Sequence, residues 1–366
     1  MAQVQKIRVC IAAPSLDING GQARQAVRLL TGFASEDSLA VDFIPHNPRL
    51  PAFLRVLSRV KYLRTILTTI HYVVLLAARV RRYDIVHVFS ASYWSYLLST
   101  LPPLIVAKIY GKKVLLNYHS GEAEDHLARW PRTTVPLMNK YDAIVVPSAY
   151  LVDVFAKGGL KAIAIPNTVE LDKFRFRDRA PLQPKFLCSR LLEPLYNVGN
   201  VIRAFHLIQQ RFQNASLTIA GDGRQRAELE QLVADLGLRN TLFLGFVPFE
   251  AMPSLYDAHD IYLMANDIDN MPASVIESCA CGVLIVTTNA GGIPYLVQHE
   301  HSALMVECGD YQGLAREAMR LLDDPGLARR LAQNALQRAG EFSWERVRDK
   351  WLLLYKGLMN RSGSRR

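Results

Sequence analysis

Cysteine is sparse in this chain. Cys10, Cys188, Cys279, Cys281 and Cys308 are scattered over 366 residues, an odd number without the regular spacing of a disulfide framework. They read as reduced residues of a cytoplasmic protein. Cys279 and Cys281 form a CxC, but no neighbouring His or Cys cluster supplies the four ligands of a zinc site, and no metal is expected. The opening "MAQVQKIRVCIAAPS" lacks the charged-then-apolar layout of a signal peptide. The uncharged, mostly apolar run from Ile66 to Ala78 falls short of the roughly 20 residues that cross a bilayer. No long polar tract suggests disorder.

Acidic residues are also unevenly missing. Residues 1–180 hold 24 Lys/Arg against 13 Asp/Glu, whereas residues 181–366 hold 19 against 20. The net charge of +10 therefore belongs to the first half, as an anionic partner would require. Residues 49–82 carry eight Lys/Arg and no acid. This stretch reads either as a helix packed on a core or as a basic amphipathic surface lying on anionic lipid. Nucleic acid is not the expected partner, because no recognition motif appears and the aromatics do not interleave with the cations.

What is present is a repeated alternation of strands and helices. "KIRVCIAAP", "VDFIP", "IVHVFS", "KVLLNYH" and "AIVVPS" are separated by amphipathic segments, and "KFLCSR", "ASLTIAGDG", "TLFLGFV", "DIYLMA", "VLIVTT" and "SALMVE" repeat the pattern. Short apolar, β-branched strands of this kind form parallel sheets covered on both faces. Two doubly wound Rossmann-like α/β domains are expected, residues 1–168 and 169–342, with Pro- and charge-rich residues 166–185 as the linker. "SWERVRDKWLLLYKGLM" at 343–359 reads as a helix opened by a Ser cap, whose aromatics need a surface.

Ligands of doubly wound domains bind beyond the carboxyl ends of strands, so three loops matter. Gly20 and Gly21 precede a helix whose first turn contains Arg24, a place suited to an anion. They read equally as a turn needing positive φ. Gly221 and Gly223 form a GxG, but Arg226 stands where a dinucleotide fingerprint has its third glycine, which removes most support for nicotinamide or flavin. The third loop, "DIDNMPASVIESCACG" at 267–282, sets Asp269 eight positions before Glu277. Pro272 is placed early in the helix, and the N–H groups around Asn270, Met271, Ala273 and Ser274 are available for a diphosphate or sugar oxygens.

"DNMPASVIESCACGVLIVTTNAGGIPYLV" closely resembles the Glu-X7-Glu region of the family 4 retaining glycosyltransferases, which have the GT-B fold. The similarity extends through "RLLEPLYNVGNVIRAF", "LFLGFVP" and "EFSWERV", and in the first half through "NGGQARQAVRLL" and "NYHSGE". The resemblance implies two facing domains, with the C-terminal helix at 343–366 packing back on the first. It further implies that Glu277 binds the ribose of a nucleotide-sugar donor, Asp269 the donor sugar and Arg190 the diphosphate. Gly20 and Gly21 match the loop over donor and acceptor, and His119 the acceptor-side loop. Base recognition falls to Gly221–Arg224.

Two departures bear on the site. Asp269 stands where the family usually has Glu, one methylene longer. Leu195, Tyr196 and Asn197 occupy the region of a second diphosphate-binding cation, so Arg24 and the helix start at Ala273–Val275 become candidates to replace it. The resemblance implies metal-independent, cofactor-free transfer of a sugar, with retention, to a hydroxyl of a glycan or lipid-linked acceptor in envelope polysaccharide or glycolipid synthesis. A non-catalytic nucleotide-sugar or glycan-binding protein of the same fold is the alternative. The setting is cytoplasmic, and peripheral on the inner face of the plasma membrane if the basic stretch lies on lipid.

Overall fold

The computed structural model describes residues 6–18, 20–51 and 61–360, with the backbone alone at Lys61. Arg55, Arg59 and the Lys61 side chain, part of the basic stretch read above, lie outside it. Contacts divide the chain into two units, residues 1–168 with 344–366 and residues 169–343.

The first unit runs β1 (Ile7–Ala13), α1 (Gly21–Phe33), β2 (Leu39–Pro45), α2 (Lys61–Arg79), β3 (Ile85–Ser90), α3 (Tyr93–Ile109), β4 (Lys113–Tyr118), α4 (Ala123–Arg129), α5 (Pro131–Met138), β5 (Ala143–Val146), α6 (Ala149–Lys157) and β6 (Ile163–Ala164). Its strands are parallel in the order β2-β1-β3-β4-β5-β6. The side-chain period of two divides each strand between two cores. Cys10, Val86, Leu116 and Val146 join Tyr72 of α2 and Tyr96 of α3 on one face. Val9, Ile85, Leu115 and Val145 face α1 on the other.

The second unit runs β7 (Lys185–Ser189), α7 (Val198–Arg211), β8 (Ser216–Ala220), α8 (Arg226–Asp235), β9 (Thr241–Gly245), α9 (Met252–Asp257), β10 (Ile261–Met264), α10 (Ala273–Cys281), β11 (Leu284–Thr288), α11 (Ile293–Leu296), β12 (Leu304–Val306), α12 (Tyr311–Asp323) and α13 (Pro325–Ala339). Its parallel order is β12-β11-β10-β7-β8-β9, with the chain reversing direction across the sheet between β7 and β10. Asp310 and Asp324 cap α12 and α13 by accepting from the N–H of Gly313 and Leu327, each satisfying one orphan donor of a helix start.

The chain then returns to the first unit as α14 (Trp344–Asn360). Val347, Trp351, Tyr355 and Leu358 are buried in the same core as Phe33. A Cβ at Gly32 would lie 2.3 Å from the Trp344 ring, so glycine in α1 makes room for this helix.

Two expectations change here. Residues 166–185 do contain the boundary between the units, at Thr168 and Val169, but most of the stretch is packed: Val169 and Phe174 sit in the core of the second unit. Buried Arg179 donates to the carbonyls of His259 (2.8 Å) and Tyr256 (3.0 Å). The charge that suggested a solvated connector is spent on satisfying buried carbonyls. The helix containing the Ile66–Ala78 run is also longer than that run, because α2 begins at Lys61 and ends at Arg79.

Candidate active site

The direction of the second sheet switches between β7 and β10, the position where doubly wound domains bind ligands. Arg190 immediately follows β7, and the loop after β10 carries Asn266, Asp267, Asp269 and Asn270. Arg190 and Asp269 form an ion pair there, each side chain only 12% exposed. The Arg190 guanidinium also lies over the Tyr196 ring, 4.2 Å from its centroid, a cation–π contact. Burial opposes the Arg190 charge, but Asp269, with Tyr262 and Tyr196, raises its pKa above the ordinary arginine value.

Asp269 is fully engaged. Besides Arg190 it accepts from Asn266 Nδ2 at 2.6 Å and from the Asn270 N–H at 2.8 Å. Asp267 is separate: it is exposed and accepts from Asn197 Nδ2 at 3.2 Å. The two aspartates thus point to different partners.

α10 begins in the next turn. Pro272 is its N-cap rather than an early helical residue, with extended ψ of 119° and no side-chain hydrogen bond. This corrects the placement read from the sequence. The Tyr262 hydroxyl bridges the Ser189 carbonyl (3.1 Å) and the Ser274 hydroxyl (2.9 Å), tying β7, β10 and the start of α10 together. Glu277, one turn deeper and 4% exposed, accepts from the Tyr256 hydroxyl at 2.9 Å. Its carboxylate is therefore held in one orientation.

The glycines fall into two classes. A Cβ at Gly221, where φ is 148°, would lie 1.9 Å from the Arg190 carbonyl oxygen, and one at Gly223 would lie 2.4 Å from that of Leu192. Gly292 is equally constrained, at 1.9 Å from the Asn270 carbonyl oxygen. These residues are glycine because the loops bearing Arg190 and Asn270 pack directly on them. The fold itself thus explains the Gly221–Gly223 pair read as a ligand loop. Met271 similarly turns inward, into the core with Tyr256 and Val275, whereas Ile268 of the same loop is exposed.

Gly20 and Gly21 differ. Gly20 caps α1 with an extended φ of −170°, Gly21 has no positive φ, and nothing among the described residues stands within 4 Å of a Cβ on either. The turn-with-positive-φ reading is therefore overturned. Arg24, half-buried, follows in the first turn of α1. The Ser90 carbonyl at the end of β3 accepts both from Gln22 Nε2 (3.1 Å) and from the His119 N–H (3.0 Å), bringing the α1 start and the His119 loop to one point. The His119 ring stacks on Phe89 at 4.9 Å, and burial lowers its pKa to about 3. The niche it lines with Asn117 and Thr168 measures about 10 Å³, room for a water but not for a sugar.

Sequence reasoning missed Tyr256, Tyr262, Asn266 and Gly292. Tyr262 sits in the strand run "DIYLMA" and Tyr256 in the mixed segment "PSLYDAHD", and only the tertiary fold directs their hydroxyls to Ser274 and Glu277. Gly292 lay in the quoted "NAGGIP" without a role.

Residues 19–173 match the family described as "Glycosyltransferase Family 4", and residues 172–338 the one described as "Glycosyl transferases group 1". A relative in Campylobacter jejuni is named GalNAc-alpha-(1->4)-GalNAc-alpha-(1->3)-diNAcBac-PP-undecaprenol alpha-1,4-N-acetyl-D-galactosaminyltransferase. It is 31% identical over 156 residues, 42% of this chain and 43% of its own. A glycogen synthase of Mycobacterium tuberculosis is 27% identical over 73% of this chain and 67% of its own. The chain thus spans less than half of the first relative's length. Among solved structures, Anabaena Alr3699/HepE in complex with UDP-glucose superposes with a TM-score of 0.74 at 18% identity, covering 98% of this chain and all of that one. Matching both families in chain order and sharing the paired doubly wound sheets of the GT-B fold, the chain belongs to the family 4 glycosyltransferases.

Proposed function

We propose that the protein is a retaining glycosyltransferase that moves a sugar from a nucleoside-diphosphate sugar to a hydroxyl of a lipid-linked or glycan acceptor, in the cytoplasm, without a metal or resident cofactor. The observation that carries this reading is the Arg190–Asp269 pair at the switch point of the second sheet, one turn from the start of α10. The Campylobacter relative, whose name describes a diphosphate-polyprenol-linked glycan, and the UDP-glucose-bound Anabaena structure support the classes of acceptor and donor.

In this mechanism Glu277, oriented by Tyr256, takes the vicinal hydroxyls of the ribose. The diphosphate draws the Arg190 guanidinium partly from Asp269, and the α10 N–H groups donate to phosphate or sugar oxygens. Asp269, shorter than the usual Glu and already bonded to Asn266 and Asn270, serves mainly to hold Arg190 in place. The bond between the anomeric carbon and the β-phosphate oxygen breaks, leaving its electron pair on that oxygen. The acceptor oxygen attacks the same face of the sugar, and its proton passes to the departing diphosphate. Positive groups aimed at the leaving oxygen supply most of the rate. The first unit, with Gly20, Gly21 and Arg24 at the start of α1, takes the acceptor.

A non-catalytic nucleotide-sugar-binding protein is the second reading. It is favoured by Tyr196, an uncharged residue stacked on Arg190 where a further cation was expected. A panel of nucleotide sugars followed by nucleoside diphosphate release separates the two. Turnover with any donor and acceptor supports the transferase, and tight donor binding without release over the acceptor panel supports the binding protein.

A further inference from the structure

We infer that α2 and α3 of the first unit form a docking surface for an anionic lipid bilayer, with α2 lying in the plane of the interface. On α2, Tyr62 (79% exposed), Ile66 (56%), Ile70 and Val74 recur every fourth residue, and Val73 lies beside them. That spacing puts them in one stripe along the helix. On the neighbouring α3, Trp94 (70% exposed), Leu98, Ile105 and Ile109 (73%) are also exposed. The helices are joined by the Tyr72 hydroxyl donating to the Ser99 carbonyl and that of Tyr110 to the Ala77 carbonyl. Single exposed apolar residues are ordinary, but stripes on adjacent helices mark an interaction surface.

The charge identifies the occupant. Between Phe43 and Gly121 the chain has eleven Lys/Arg and a single acid, Asp84, which is paired with Arg8. Lys108 and Lys113 are held by Asp142, and Arg49 by Asp17. Arg64, Arg79, Arg81 and Arg82 are exposed on and just beyond α2 and make no ion pair among the described residues. Apolar stripes flanked by unpaired cations match a bilayer carrying anionic headgroups.

The segment Tyr62–Arg82 is long and apolar enough by composition to cross a membrane. Tyr72, Leu76 and Val80 are nevertheless fully buried in the first unit's core, so the opposite face alone is offered to lipid. Arg64 and Leu98 also line a cavity of about 880 Å³, with Thr65, Thr68, Ser95 and Ser99. Docking by this face places the mouth of that cavity at the headgroup level.

The full chain is mixed with vesicles of equimolar phosphatidylglycerol and phosphatidylcholine, and with phosphatidylcholine alone, and floated at low and high salt. Binding to the anionic vesicles, weakened by salt, is expected. Replacing Arg64, Arg81 and Arg82 by Gln lowers the partition coefficient by about fivefold per cation, and the triple variant Ile66→Ser, Ile70→Ser, Val74→Ser lowers it by about tenfold or more. Vesicles shift the tryptophan emission to the blue, and Trp94→Phe removes the shift while flotation persists. Each variant is at an exposed position and keeps the helical circular dichroism. The inference is overturned by no binding at low salt, by an apolar triple variant that floats as wild type, or by retention in membranes through alkaline extraction, which means a spanning helix. A vesicle-free dimer dissolved by the same triple variant also overturns it, since the face then serves a second copy of the chain.

Discussion

Arg190 and Asp269 lie 79 residues apart in the chain, yet pair at the ends of neighbouring strands β7 and β10, with the Tyr196 ring beneath the guanidinium. A cation held by an acid in a mostly buried corner is pre-oriented for a dianionic ligand. Releasing it from that acid has a cost which the ligand must offset.

Asp269→Asn leaves the Arg190 charge without its partner. Loss of one member of a buried pair costs about 3 kcal/mol, so the melting temperature falls. Because Arg190 is then free for another anion, UDP used as a probe raises the melting temperature of the variant more than that of the wild type. Differential scanning fluorimetry with and without UDP checks both. An unchanged melting temperature would show that the pair carries no weight in the fold.

Tyr196→Ala removes the surface under the guanidinium. A cation–π contact of this kind contributes about 1 kcal/mol, so stability falls by about that much, and affinity for a nucleoside diphosphate falls as well because the guanidinium loses the surface that orients it. Thermal unfolding reads the first and isothermal titration the second.

The glycines separate folding from ligand contact. Gly221→Ala puts a Cβ 1.9 Å from the Arg190 carbonyl oxygen at a φ of 148°, and a strained backbone plus a clash costs about 3 kcal/mol or more. Gly20→Ala and Gly21→Ala meet nothing within 4 Å among the described residues and change stability by about 0.5 kcal/mol at most. If the loop approaches a ligand, the latter pair still lower kcat/KM. Loss of activity with unchanged unfolding curves is the predicted result.

Acid destabilises the first unit through its buried histidines. His87 bonds Tyr355 Oη (2.8 Å) and Asn117 Nδ2 (2.9 Å), and burial lowers its pKa to about 3; burial likewise lowers that of His126 to about 4. The unfolded histidines take up protons near 6.5, whereas the folded ones remain neutral until the lower values. Stability is therefore intact above about pH 6.5 and is lost as pH falls, by about 1.4 kcal/mol per pH unit for each histidine. All four tryptophans, at 94, 130, 344 and 351, lie in this unit, so denaturant curves followed by their fluorescence report it alone. His87→Gln reduces the slope between pH 6 and pH 4.5 by about 1.4 kcal/mol per unit.

Much of the fold was legible because parallel strands buried on both faces leave uninterrupted β-branched runs, and "IVHVFS" and "LIVTT" mark strand cores directly. The two-residue β6 was too short to leave a pattern. The corner of Arg190 and Asp269 was legible as separate residues, not as a pair, since sequence spacing says nothing of which strand ends are neighbours. Gly221 and Gly20 looked alike in the sequence. Only the backbone shows that the first is demanded by Arg190 and the second by nothing among the described residues. Arg179 was read as a linker charge because composition cannot tell a solvated arginine from one whose donors meet buried carbonyls.

The central claim is that Arg190 neutralises the leaving diphosphate. The double variant Arg190→Gln, Asp269→Asn replaces the ion pair by neutral hydrogen-bonding groups and leaves no buried charge unpaired, so the melting temperature stays near wild type. Removing one such stabilising group costs roughly 10²–10³-fold in rate. With a nucleotide sugar that the wild type turns over, the account predicts that nucleoside diphosphate release by the double variant falls by that factor. Release at the wild-type rate from a folded double variant would contradict it.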